Sequence, residues 1–170
     1  MTTPLNEPLS EPLSERDARY LREAIALSQH GRSRGNRPFG AVIVAEDGEV
    51  LAQAWCDTTE SGDCTGHAET NAVRRASPLH SRERLAAATL YSSAEPCVMC
   101  AGAIFWANIG RVVYGIDAVA LRVFRGERAE QRDAELSCRD VFAASPHPIE
   151  TIGPVLADEA AAAHQGFWQA

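Results

Sequence analysis

Leu21, Ala24, Ile25 and Ser28 recur at three- and four-residue intervals, the spacing of one helix face. Ser14 precedes them as a candidate N-cap, and Glu15 and Asp17 fall in the first turn, where the helix dipole favours acids. Gly31 is the expected stop. An apolar run at 39–45 follows Pro38 and predicts a buried strand. Polar residues at 46–49, with Gly48 among them, supply a turn, and 50–55 returns as the second strand of a hairpin. Residues 58–65 are polar and read as a loop. The pattern turns helical again over 67–76, with His67, Thr70 and Asn71 on one face and Pro78 beyond the end.

Residues 88–93 predict another strand. Pro96 suits the first turn of a helix continuing over 97–107, and 111–116 is a further strand. Residues 126–139 are charged and carry no clear period. A last strand is expected within 149–155 and an Ala-rich helix over 156–168. Alternation of strand and helix implies a sheet with helices on its faces, an α/β fold. The first 14 residues repeat Glu-Pro-Leu-Ser and hold three prolines in nine residues, which excludes a helix interior. They read as a disordered arm, with a single domain over 15–170.

Composition narrows the class. A chain of 170 residues with 45% hydrophobic and 23% charged residues has enough material for one ordinary core. No run approaches the roughly 18 apolar residues of a membrane span. No basic region followed by an apolar stretch opens the chain, so a cytoplasmic protein without membrane contact is expected. The five cysteines are then expected as free thiols, since the cytosol keeps them reduced. A net charge of −7 argues against a polynucleotide partner, because phosphate contacts need a basic surface.

Within this frame one constellation carries chemistry. His67 is followed two residues later by Glu69, and about thirty residues on by Cys97 and Cys100. Imidazole and thiolate are preferred zinc ligands, and a catalytic zinc keeps three protein ligands and one open position. Cys97 and Cys100 lie one turn apart at a helix start, where the dipole helps thiolate form. Glu69 sits close enough to exchange a proton with a metal-bound water without binding the metal. Cys64, three residues before His67, offers the alternative of a closed four-ligand structural site.

His-x-Glu followed by Pro-Cys-x-x-Cys resembles the signature of the zinc-dependent cytidine/deoxycytidylate deaminase superfamily. The likeness extends from about residue 15 to Trp168. Residues 37–44, 65–69 and 93–107 are most similar to its guanine deaminase and nucleoside deaminase branch. The resemblance implies a three-layer αβα sandwich on a five-stranded mixed sheet, and hydrolytic release of ammonia from an aminated heterocycle. It also implies one zinc per chain on His67, Cys97 and Cys100, and Glu69 as the proton shuttle. Phe39 and Trp106 match aromatic positions flanking the base, and Ala68, Cys56 and Trp168 join them as substrate-binding candidates. A homodimer is implied as well.

Two departures bear on the substrate. Guanine deaminases carry an Asn eleven residues before the ligand histidine, where this chain has Cys56 followed by Asp57. A downstream segment supplying a second carboxylate is missing, leaving Glu127, Glu130 and Asp133 as replacements. The expected substrate is therefore a free nucleobase, nucleoside or related heterocycle: purine-like, pyrimidine or triazine. A tRNA adenosine deaminase and a non-catalytic zinc domain are the competing readings. Gly166, Phe167 and Trp168 are expected to close over the site.

Overall fold

The computed structural model describes residues 12–126 and 136–169. Most of the arm, together with Glu127, Glu130 and Asp133, lies outside them.

Helix α1 spans Glu15–Ser33, with the Ser14 hydroxyl accepting from the Asp17 amide at 3.0 Å. It runs past Gly31, which serves a different purpose from the expected stop. A Cβ at Gly31 would lie 3.2 Å from Cβ of Trp55, so glycine lets the helix approach its neighbour. Strands β1 (Gly40–Val44) and β2 (Val50–Trp55) form the predicted hairpin. The region read as a loop then contains a single-turn helix, α2 (Thr58–Ser61). Next come α3 (Ala68–Ala76), the short α4 (Arg82–Ala86), β3 (Thr89–Ala94), α5 (Val98–Trp106) and β4 (Arg111–Ile116).

After β4 the chain forms α6 (Ala118–Arg125), which Asp117 caps by accepting from the Ala120 amide at 2.6 Å. The helix α7 (Cys138–Ala143) and strand β5 (Glu150–Ile152) follow. The strand is shorter than the apolar run suggested, because Gly153 and Pro154 interrupt it and proline has no amide for the ladder. The expected C-terminal helix is also shorter. It consists of α8 (Ala157–Ala161), a 3-10 turn over Ala162–His164 and an irregular tail with Gly166 at φ +69°.

The sheet order is β2-β1-β3-β4-β5, antiparallel through β2, β1 and β3 and parallel through β3, β4 and β5. This is the five-stranded mixed sheet that the resemblance implied. Strand alternation sends Ala41, Ile43, Leu90 and Val112 to one face, covered by α3, α5 and α7. Val42, Val44, Tyr91 and Val113 go to the other face, beneath α1 and α8. The result is a three-layer αβα sandwich. No helix among the described residues is long and apolar enough to cross a membrane.

Candidate metal and proton-transfer centre

The loop before α3 is shaped by its own short polar side chains. Asp63 accepts from the amide and hydroxyl of Thr65 at 2.8 and 2.7 Å, and the Thr70 hydroxyl donates back to the Thr65 carbonyl at 2.6 Å. Asn71 ties the helix to the end of β2 by donating to Oδ1 of Asp57 at 2.9 Å and to the Trp55 carbonyl at 3.2 Å. Gly66 admits this contact, since a Cβ there would stand 2.3 Å from the same Asp57 oxygen. These bonds set His67 as the N-cap of α3. Its side chain makes no capping bond to that helix.

Cys97 occupies the equivalent place on α5 and likewise makes no side-chain cap. Helices α3 and α5 pack together, so both N-termini face one point. Nδ1 of His67 lies 3.6 Å from Sγ of Cys97 and 3.5 Å from Sγ of Cys100. The three ligand atoms fall within 4.8 Å of one another. Two thiols and an imidazole at helix starts are a donor set that fits zinc. Cys64 is exposed and stands outside this group, so the closed four-ligand arrangement does not form among the described residues.

Glu69 lies in the first turn of α3, 5% exposed. Its Oε1 accepts from the Ser92 hydroxyl at 3.0 Å, and its Oε2 is 3.5 Å from Sγ of Cys100. Burial raises its carboxyl above the ordinary range, and the negative charge of Cys97 adds to the effect. The Cys97 thiol is held down at about 4, first by the hydrogen bond from Cys100 and then by the imidazole. The same bond and burial push Cys100 up. The bond to Cys97 raises the His67 imidazole. Cysteine binds zinc as thiolate and histidine as neutral imidazole, so metal binding releases protons from these ligands.

Glu95 anchors the loop that carries Cys97. Its carboxylate accepts from the Ala118 amide at 3.0 Å, the Ser137 hydroxyl at 2.6 Å and the Cys138 amide at 3.3 Å. One side chain thus binds the starts of α6 and α7. Sequence reasoning gave no role to Ser92 and none to Glu95 beyond its place in the matched segment, because single polar residues carry no periodic signal.

The substrate candidates are distributed more widely. Ala68 is fully buried at the start of α3. Phe39 is half-buried just before β1 and packs against both faces of the core. Its ring centroid is 5.2 Å from that of His164 and 6.2 Å from that of Trp168, so the tail does reach Phe39. Cys56 is buried, its amide donating to the Phe39 carbonyl at 3.0 Å and its thiol 3.5 Å from the Thr58 hydroxyl. Trp106 is not brought to the metal group of its own chain. It ends α5, about 13 Å of helix beyond Cys97, and is 78% exposed.

Comparison with known proteins agrees with this geometry. The family described as the cytidine and deoxycytidylate deaminase zinc-binding region matches residues 14–116. A probable cytosine deaminase of Schizosaccharomyces pombe is 43% identical over 154 residues, covering 91% of this chain and 93% of the relative. The guanine deaminase of Bacillus subtilis is 41% identical over 99 residues, 58% of this chain and 63% of that enzyme. A solved structure from a study of A-to-I editing by tRNA:A34 deaminases is 31% identical with a TM-score of 0.67, covering 86% of this chain and 99% of that one.

Proposed function

Since the chain belongs to the cytidine and deoxycytidylate deaminase family and is a zinc-dependent hydrolytic deaminase, we propose that it acts on a free aminated nucleobase or nucleoside. The observation that carries this reading is the convergence of His67, Cys97 and Cys100 beside the buried carboxylate of Glu69. The near full-length similarity to a probable cytosine deaminase and the partial similarity to a guanine deaminase support a small heterocycle, pyrimidine or purine.

In this reading His67, Cys97 and Cys100 hold the zinc, which when bound supplies Lewis-acid activation of water. Glu69 takes a proton from the attacking water and delivers it to the amino nitrogen. The new C–O bond forms at the ring carbon as the C–N bond breaks, and the nitrogen leaves as ammonia. The backbone N–H of Cys97 steadies the oxygen arriving at that carbon. Phe39, Ala68, Cys56 and Trp168 form walls around the ring, with Trp168 closing against Phe39 to exclude water.

A single deaminase domain is read over 15–170, with Leu13 packing on its core and Ser14 capping its first helix. A homodimer is supported by apolar surface: Trp106 on α5 and Val119 and Val123 on α6 are strongly exposed. Five free cysteines support a reducing, cytoplasmic setting.

A second reading, tRNA adenosine deamination, is favoured by the 31% identity to the tRNA:A34 deaminase structure and opposed by the net charge of −7. Ammonia release across guanine, adenine, cytosine, their nucleosides and triazines, run beside a tRNA substrate, separates the two. Turnover of tRNA alone would overturn the first.

A further inference from the structure

We propose that Ser92 is the positioning residue that orients the proton-carrying carboxylate of Glu69; the inference rests on the proton-transfer role assigned to Glu69 above. Ser92 lies on β3, 1% exposed, on the face that α3 and α5 cover. Its hydroxyl donates to Oε1 of Glu69 at 3.0 Å. The next residue, Ser93, is used differently, its oxygen accepting from the Gly40 amide at 3.0 Å. Adjacent strand residues point to opposite faces, so only Ser92 serves the proton-transfer site.

The terminal torsion of a glutamate is broad and roughly two-fold, so packing alone leaves the carboxylate plane poorly fixed. Among the described residues Glu69 has no arginine or lysine partner. Its side-chain contacts are Ser92 on Oε1 and Cys100 on Oε2. Ser92 therefore occupies Oε1 and leaves Oε2 facing the ligand cluster, as the oxygen that exchanges the proton. A hydroxyl on a buried strand is a rigid donor, so the orientation is set before substrate enters.

The test compares Ser92→Ala, Ser92→Thr and Ser92→Val, measuring kcat, KM, zinc content and melting temperature. Ser92→Ala should lower kcat about tenfold while KM and zinc stoichiometry stay at the wild-type level. Thr and Val share a shape and differ in the hydroxyl, so Thr should recover most of kcat and Val should not. That pair carries the test if Ser92→Ala fails to fold. Wild-type kcat in Ser92→Ala, equal losses in Thr and Val, or a change confined to KM would overturn the proposal. Glu69→Gln is the control for the underlying assignment: it should lower turnover by several orders of magnitude and retain zinc, and adding Ser92→Ala should then lower the small residual rate no further. A fully active Glu69→Gln removes the role of Glu69 itself. An inactive Glu69→Gln beside a fully active Ser92→Ala removes only that of Ser92.

Discussion

Arg111 grips both carboxylate oxygens of Asp17, at 2.7 and 2.9 Å, across ninety-four residues of sequence. Tyr91 adds a third bond to Oδ1 at 2.8 Å. The acid lies in the first turn of α1, but its side chain turns inward and ties that helix to β3 and β4.

This contact sets an acid limit on stability. Burial raises the Asp17 carboxyl, yet the bonds from Arg111, Tyr91 and Ser14 together outweigh it and hold the group at about 2. Its folded value is thus below its unfolded one, near 3.9, so the unfolded chain binds more protons between them. The contribution is complete above about pH 4 and is lost as pH falls toward 2. Asp17→Asn should flatten the stability-against-pH curve in that window, read by denaturant unfolding. Asp17→Ala leaves Arg111 paired with Glu150 alone and should cost about 2 kcal/mol at neutral pH.

Metal content separates the ligand sets. Cys97→Ala and Cys100→Ala should each lose zinc and all turnover, whereas Cys64→Ala should keep one zinc per chain and normal rates. Metal analysis of the purified variants decides it. Zinc retained in Cys97→Ala but lost in Cys64→Ala would require a different site.

Glu95→Ala should loosen the loop beside the ligands. It removes the acceptor shared by the Ala118 amide, the Ser137 hydroxyl and the Cys138 amide, a loss of about 2 kcal/mol. Because Pro96 and Cys97 follow directly, zinc should pass to a chelator faster than from the wild type. An unchanged transfer rate at a lowered melting temperature would confine Glu95 to holding α6 and α7.

The fold was legible wherever hydrophobic spacing and turn chemistry agreed. The Ser14 cap, the hairpin around Gly48 and the helices after His67 and Cys97 all follow from local rules. Helix α6 was not recognised, although Asp117 caps it, because Arg122 and Arg125 merge it with the charged stretch beyond. Gly31 misled as a helix stop because its use depends on Trp55, distant in sequence. The three candidate ligands were legible because zinc chemistry demands particular atoms at particular spacings. Ser92 was not, since its value comes from which face of β3 it occupies. Trp106 matched a motif, but its distance along α5 from Cys97 is a property of the folded helix.

His164 provides a second pH test, at milder acidity. It is 1% exposed; its Nδ1 accepts the Trp168 indole N–H at 3.3 Å and its Nε2 has no partner among the described residues. Burial, with the charges of Arg125 and Arg32, lowers its imidazole to about 4. The folded value lies below the unfolded one, near 6.5, so stability should fall as pH drops from 6.5 to 4 and this contribution should then level off. His164→Gln should remove the slope in that range, as measured by melting temperature. A slope unchanged by the substitution would assign it to another group.

The ligand cluster and Glu69 stand on α3 and α5, braced by β3, while Phe39, Cys56 and Trp168 sit at strand ends and on the tail. Mutation can therefore act on the two sets separately. On the proposed reading, changes at Phe39, Cys56 and Trp168 should alter which ring is admitted and leave the water-activating group in place, whereas loss of a ligand or of Glu69 should remove catalysis whatever the ring. A scaffold divided in this way allows substrate range to diverge between descendants while the reaction itself is inherited.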